Sequence, residues 1–347
     1  MAIKADFLTW GLAIATYNRP SELVVCVTAA LRQTYKPREI VICDSSPTAS
    51  ETRAQIERLV RYLAPDVRLA FPIPRRAQQT IQRNAAIDAA TVDILFMIDD
   101  DTYMHPRCAE YFIETYKTFW SSNIVGVTCL QSHNWPISDE SLARPLPVST
   151  KLERLVANMS PYTWFRGRAG PCVKRPLHEN SLPFQVSSTD FMLGALFTAR
   201  RDAIAKIRFD EDLVTGLHED ADASLRLARS GLVCQIWLPL MHHAAAPRQG
   251  SQQRRSSLSR FSFLFNMAYF NLKNFGGRPR VRAHNVLVIS WLLLLDFAQL
   301  MLRNNRGSLR ALLLAWTSSV HISLLGRSTW RSFFLARTED AIRRFET

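Results

Sequence analysis

The sequence predicts an α/β fold: a mostly parallel sheet flanked by helices, followed by a basic, apolar helical region. Three observations carry this. Up to about residue 100, short apolar runs alternate with segments of helical periodicity, the pattern of a parallel sheet with right-handed crossovers. One run, VDILFMIDDD, is apolar from Ile94 to Ile98 and ends in Asp99, Asp100 and Asp101. The charge is uneven: residues 1–243 carry a net +1, whereas 244–347 hold 16 basic and 4 acidic residues, a net of +12. A strand buried on both faces reads as a continuous hydrophobic run. Three adjacent acids repel one another, a cost a fold accepts most readily when a cation sits among them. Ligands of open α/β sheets bind beyond the carboxyl ends of the strands. The triplet therefore points to a divalent metal, Mg²⁺ or Mn²⁺, presenting a phosphate-bearing substrate; a solvated acidic turn is the plain alternative.

Gly11–Ala15 forms the first predicted strand, ended by TYNRP. Ser21 is placed to cap a helix to about Gln33, with Leu23, Val27 and Leu31 at helical spacing. Pro37 breaks the chain before EIVICD, a second strand ending at Asp44. A helix over 51–63, a third strand (VRLAFPI) and a helix over 78–90 lead into the acidic strand. Beyond it, His105–Trp120 reads as a helix and IVGVTCL as a strand. Residues 131–185 are irregular, either a mobile loop or an acceptor-binding insertion. FMLGALFTARR resumes strand character, with Arg200 and Arg201 starting a helix. FDEDLVTGLHEDADASLRLARSG is a loop and then a helix ended by Gly231, and VCQIWLPLMHH is a strand running to two histidines.

Hydrophobic content of 47% and charged content of 21% exclude a largely disordered chain. Six scattered cysteines without a CxxC pair argue against a zinc site or a disulfide framework and suit a reducing compartment. The N-terminus lacks a basic region leading into a long apolar one, so it reads as a strand and not as a signal peptide. The basic C-terminal region implies an anionic partner. Its apolar stretches, Asn285–Arg303 and the one from Ala311, are at the short end of membrane-spanning length, and Asp296 makes a span costly. With arginines flanking both, they are expected to lie in the membrane interface. Buried core helices and a spanning hairpin are the alternatives.

Taken in order, TYNRP, Asp44, Arg83-Asn84, Asp99-Asp100-Asp101, Gly194 with FDEDL, HEDADASLRLARSG and His242-His243 resemble the inverting family 2 glycosyltransferases of the GT-A fold. The resemblance covers roughly residues 10 to 245. It implies a catalytic domain over 1–245 and a basic, apolar helical region over 246–347. By the resemblance, Thr16, Tyr17, Asn18 and Arg19 bind the nucleotide sugar, and Asp44 accepts a hydrogen bond from base or ribose; alternatively Asp44 starts a turn. Arg83 approaches the nucleotide, with Asn84 beside it. Asp99 and Asp101 match the acids of the DXD motif, Asp100 contacts ribose or solvent, and His242 or His243 completes the metal site, with a slight preference for His242. Gly194 also belongs to the donor site. Asp220 is the candidate general base, with Glu219 adjacent. Residues 244–257 correspond to a loop that is often mobile in the family.

The implied partners are a nucleotide-diphosphate sugar, a saccharide or lipid-linked acceptor and an anionic membrane surface, with no nucleic acid. The implied location is cytoplasmic, peripheral on the inner face of the cell membrane, in synthesis of a surface polysaccharide or glycolipid. Two other classes compete. A nucleotidyltransferase on a similar sheet would release pyrophosphate. A non-catalytic basic module for nucleic acid would need aromatic stacking surfaces among its basic residues, and would leave the acidic triplet and the Glu-Asp pair without a role.

Overall fold

The computed structural model describes residues 7–143, 177, 182–244, 252–302 and 306–346. Most of the irregular insertion, residues 245–251 of the polar segment and Cys172 lie outside these; residues 252–257, expected as part of a loop, are instead helical. The described residues form two compact units. The first holds 7–143, 177, 182–210 and 219–244; the second holds 211–218 and the helices from residue 252 onward.

The first unit runs β1 (Trp10–Thr16), α1 (Pro20–Leu31), β2 (Glu39–Asp44), α2 (Ala49–Leu63), β3 (Arg68–Ala70), α3 (Gln79–Ala89) and β4 (Ile94–Asp99). It continues with β5 (Thr102–Met104), α4 (Cys108–Thr118), β6 (Ile124–Ser132), α5 (Asp139–Ala143), β7 (Val186–Ser188) and β8 (Leu196–Arg200). It closes with α6 (Arg201–Ile207), α7 (Glu219–Ala228) and β9 (Leu232–His243). The sheet order is β3-β2-β1-β4-β8-β6-β9-β5, with β7 against β9.

Strands β3, β2, β1 and β4 are parallel, as the alternating pattern predicts. Beyond β4 the sheet is mixed: β8 enters antiparallel to both β4 and β6, and β5 and β7 run antiparallel to β9. The expectation of a mostly parallel sheet thus holds throughout its first half, and in the mixed second half β6 and β9 also pair parallel. Side chains alternate between two cores. Leu12, Ile14, Ile40, Ile42, Ile94, Phe96 and Ile98 pack on one face; Ala13, Val41, Cys43, Leu95 and Met97 pack on the other. This two-sided burial is why the strands are apolar throughout. Helix α1 starts one residue before the expected cap: Pro20 takes the first turn, where its missing N–H is harmless, and no side chain caps it.

The second unit comprises α8 (Gln252–Phe275), α9 (Pro279–Leu302), α10 (Arg306–Leu324) and α11 (Trp330–Glu346). Helix α10 packs against α8 and α9, and α11 against α8. The Tyr269 and Phe334 rings stack at 4.0 Å in a core that includes Phe265, Ile289, Leu312 and Ala315. Among the described residues no helix is long and apolar enough to cross a membrane, which removes the spanning hairpin for these segments.

Candidate active site

Parallel register lines up the strand ends: Thr16 lies beside Asp44, and Ala15 beside Asp99. After β1 the chain turns through Asn18, whose φ of 54° is a left-handed conformation that asparagine tolerates. The Asn18 amide donates to Ser46 Oγ at 2.6 Å. The Ser46 amide donates to Asp44 Oδ1 at 2.8 Å, and its hydroxyl bonds the same oxygen. Asp44 therefore does start a turn. Its second oxygen, Oδ2, is buried with no protein partner among the described residues, so the turn holds one oxygen and leaves an acceptor for a ligand. Tyr17 is about half exposed beside it.

The acidic triplet divides into two roles. Asp100 accepts from Thr16 Oγ1 at 2.6 Å and from Arg19 Nη1 at 2.7 Å. Burial pushes its carboxyl up to about 6, against the pull of Thr16 and Arg19. Asp101 accepts from Arg19 Nη1 at 2.9 Å and lies 3.2 Å from His243 Nε2. Burial raises Asp101 too, but His243 and Arg19 outweigh it and hold the carboxyl at about 2. The same contact raises His243. Asp99, Asp101 and His243 each bring a ligand atom within 4.8 Å of the others. Two carboxylates and an imidazole converging at a strand end form a donor set that suits a divalent cation.

The structure chooses between the histidines. Thr102 pairs with His243 and Tyr103 with His242, so alternation sends the two rings to opposite faces of β9. His242 Nδ1 sits 3.1 Å from Ser132 O, and its ring lies over Trp135. The slight preference for His242 is therefore corrected: only His243 joins the acids.

Arg83 also differs from expectation. It exposes 2% of its surface and binds protein. Its Nη2 donates to Asp99 Oδ1 at 2.7 Å and to Gly194 O at 3.1 Å, and its Nη1 to Glu219 Oε1 at 3.1 Å. Rather than reaching a nucleotide, it bridges the metal-type cluster to the acids of α7. Asn84 serves the fold: its Nδ2 donates to Phe209 O at 3.0 Å, and Phe209 N donates to its Oδ1 at 2.9 Å. Its nucleotide-binding assignment is corrected accordingly. The sequence reading overlooked Gln82, whose Nε2 donates to Thr16 O at 2.8 Å and Cys43 O at 2.9 Å, tying β1 to β2 beside the site. Its only signal is a polar residue on the inward face of α3.

Gly194 permits a close approach. A Cβ there would meet Asp220 Oδ2 at 3.1 Å and Asp220 Cβ at 3.2 Å. Without one, the Gly194 amide donates to Asp220 Oδ2 at 3.1 Å. The other carboxylate oxygen accepts from Ala221 N at 2.7 Å. Glu219 Oε1 takes Arg83, while Oε2 is buried with no partner among the described residues. Burial raises both carboxyls above their ordinary range; the Asp220 charge raises Glu219 further, and Arg83 pulls both back in part. Asp222 is structural: Arg226 Nε donates to it at 2.8 Å and holds the C-terminal end of α6 through Ile207 O and Arg208 O.

Residues 12–156 match the family model "Glycosyl transferase family 2". The chain is 20% identical over 252 residues to the amylovoran biosynthesis glycosyltransferase AmsB of Erwinia amylovora, covering 72% of this chain and 74% of that protein. Two solved structures share the fold. The mannosyltransferase PcManGT from Pyrobaculum calidifontis, in complex with GDP-Man and Mn²⁺, superposes with a TM-score of 0.53 at 16% identity, over 98% of this chain and 89% of that one. S. aureus TarS 1-349 in complex with UDP-GlcNAc gives a TM-score of 0.52 at 12% identity, over 97% and 92% of the two chains. The chain is a glycosyltransferase carrying a family 2 domain on the GT-A fold.

Proposed function

We propose that this enzyme transfers a sugar, with inversion and with a divalent metal, from a nucleotide-diphosphate donor to an acceptor hydroxyl in the synthesis of a surface polysaccharide or glycolipid. The observation that carries the reading is the Arg83 bridge. One guanidinium holds Asp99 of the metal-type cluster, Glu219 beside the candidate base, and the carbonyl of Gly194, whose amide holds Asp220. The donor-side acids and the base-side acids are thus parts of one hydrogen-bonded site.

The roles follow from that arrangement. Asp44, with one oxygen fixed and one open, is suited to accept from the base or ribose, next to the exposed ring of Tyr17. Asp99, Asp101 and His243 would hold the metal, and the imidazole nitrogen favours Mn²⁺ over the more strictly oxygen-seeking Mg²⁺. When bound, such an ion supplies charge stabilisation to the departing diphosphate. Asp220 takes the acceptor proton as the acceptor oxygen attacks the anomeric carbon. The bond to the diphosphate oxygen breaks on the opposite face, the nucleoside diphosphate leaves with the electron pair, and the anomeric configuration inverts.

The name of the Erwinia relative supports a polysaccharide product, and the donors in the two solved structures support a nucleotide sugar. The net charge of +12 beyond residue 243 supports a peripheral position on an anionic membrane face, on the cytoplasmic side. Incubating the enzyme with a panel of nucleotide sugars, with Mn²⁺, Mg²⁺ or chelator, tests the reading. It expects metal-dependent release of nucleoside diphosphate; release of pyrophosphate, or equal turnover in chelator, would contradict it.

A further inference from the structure

Helix α9 is apolar on two sides. Its inward side buries Val281, Asn285, Val288 and Ile289. Asn285 is satisfied there, accepting from Asn271 Nδ2 at 2.9 Å. Its outward side carries Leu287, Trp291 and Leu294, exposed by 68%, 51% and 62%. Steps of four and three place these three on one stripe. A surface helix ordinarily turns polar residues to solvent, and α11 of the same unit does so with exposed Arg331, Ser332, Glu339, Arg343 and Arg344. A single exposed leucine needs no explanation, but a contiguous apolar stripe marks a surface that meets something.

We infer that the outward stripe of α9 seats in the headgroup region of an anionic bilayer, with the helix lying in the membrane plane. The inference rests on the membrane part of the proposed function and names the surface responsible. The surrounding charge selects the occupant. Arg278 and Arg280 are exposed where α9 begins, and Arg310 is exposed just past its far end, early in α10. Basic residues at both ends of an apolar stripe match the composition of interfacial helices. A tryptophan within the stripe belongs at headgroup depth. A second copy of the chain would bring the same strongly positive region against itself and be repelled.

Co-sedimentation of the full chain with phosphatidylcholine vesicles, with and without phosphatidylglycerol, tests this. Replacing the stripe together (Leu287→Ser, Trp291→Ser, Leu294→Ser) should lower partitioning onto the anionic vesicles at least tenfold. Arg278→Ala with Arg280→Ala should lower it on anionic vesicles only, and that part should vanish in high salt. Bromolipid should quench the parental fluorescence, and Trp291→Phe should remove that quenching while vesicle binding persists. Circular dichroism and nucleoside diphosphate release on the nucleotide-sugar panel, measured on the same variants, keep loss of folding or catalysis separate from loss of binding. Unchanged vesicle partitioning of the folded stripe variant would overturn the inference. So would a concentration-dependent dimer that the stripe variant abolishes while the parental chain ignores vesicles.

Discussion

Arg83, Asp100, Asp101 and Glu219 in the sheet unit each expose 5% or less, whereas the helical unit buries neutral polar groups such as Asn271, Asn285, Ser318, Ser319 and Ser323. The sheet unit also exposes apolar residues, among them Phe7, Tyr62 and Ile73, but the helical unit aligns Leu287, Trp291 and Leu294 on one outward helix face. Both arrangements depart from the usual distribution, in opposite directions. Burying ions costs several kcal/mol each unless they are paired and hydrogen-bonded; a buried amide pair costs far less. The sheet unit carries that load because each ion holds another: Arg83 orients Asp99 and Glu219, and Arg19 orients Asp100 and Asp101. Stability alone gives no reason for such a network, since well-packed apolar residues would do as well or better. Inward charge and outward apolar surface are where each unit gives up some stability.

The largest effect that would sharpen this contrast is on catalysis. Asp101→Ala should lower transfer about 1,000-fold, because loss of several kcal/mol of charge stabilisation is tenfold per ~1.4 kcal/mol. Circular dichroism should stay that of the parent, and chelator should have little further effect. Next comes Arg83→Met, which strands Asp99 and Glu219 and should cost about 3–5 kcal/mol in urea unfolding. In the helical unit Asn271→Ala leaves Asn285 Oδ1 without its donor, for about 1–3 kcal/mol. Smallest is Arg53→Ala, which removes an exposed pair with Glu57 on α2 and a cation–π contact with Phe71 and should cost no more than about 1 kcal/mol. An Arg83→Met variant no less stable than Asn271→Ala would break the comparison.

The first half of the sheet was legible because each strand there is an apolar run closed by turn residues, and parallel register follows from the crossovers. The acidic strand end and the Glu-Asp pair were legible because like charges crowd only where something offsets their repulsion. Other features depend on residues far apart in sequence. Strands β5 and β7 are three residues each, too short for any periodicity. The choice of His243 over His242 depends on pairing with Thr102. Arg83 takes its meaning from Glu219, 136 residues away. A buried acid is not by itself a site: Glu39 exposes 1%, yet it is satisfied by Arg68, by Thr91 N at 2.7 Å and by Val92 N at 3.2 Å, at the other end of β2 from Asp44. What separates Asp44 is the oxygen left without a partner among the described residues.

The most direct test of the central claim compares Asp220→Asn with Glu219→Gln for donor binding and single-turnover transfer across pH. Burial raises Asp220, and a base works only when ionised, so parental transfer should climb with pH through a value above the ~3.9 of an ordinary aspartate. Asp220→Asn keeps the shape and an acceptor for the Gly194 amide but cannot take a proton. It should bind donor and metal as the parent does, lose that acid limb, and transfer on the order of 100- to 10,000-fold more slowly. Glu219→Gln should lose less, and chiefly through its contact with Arg83. Transfer by Asp220→Asn at the parental rate, or a larger loss in Glu219→Gln with Asp220→Asn nearly unaffected, would contradict the assignment of the base.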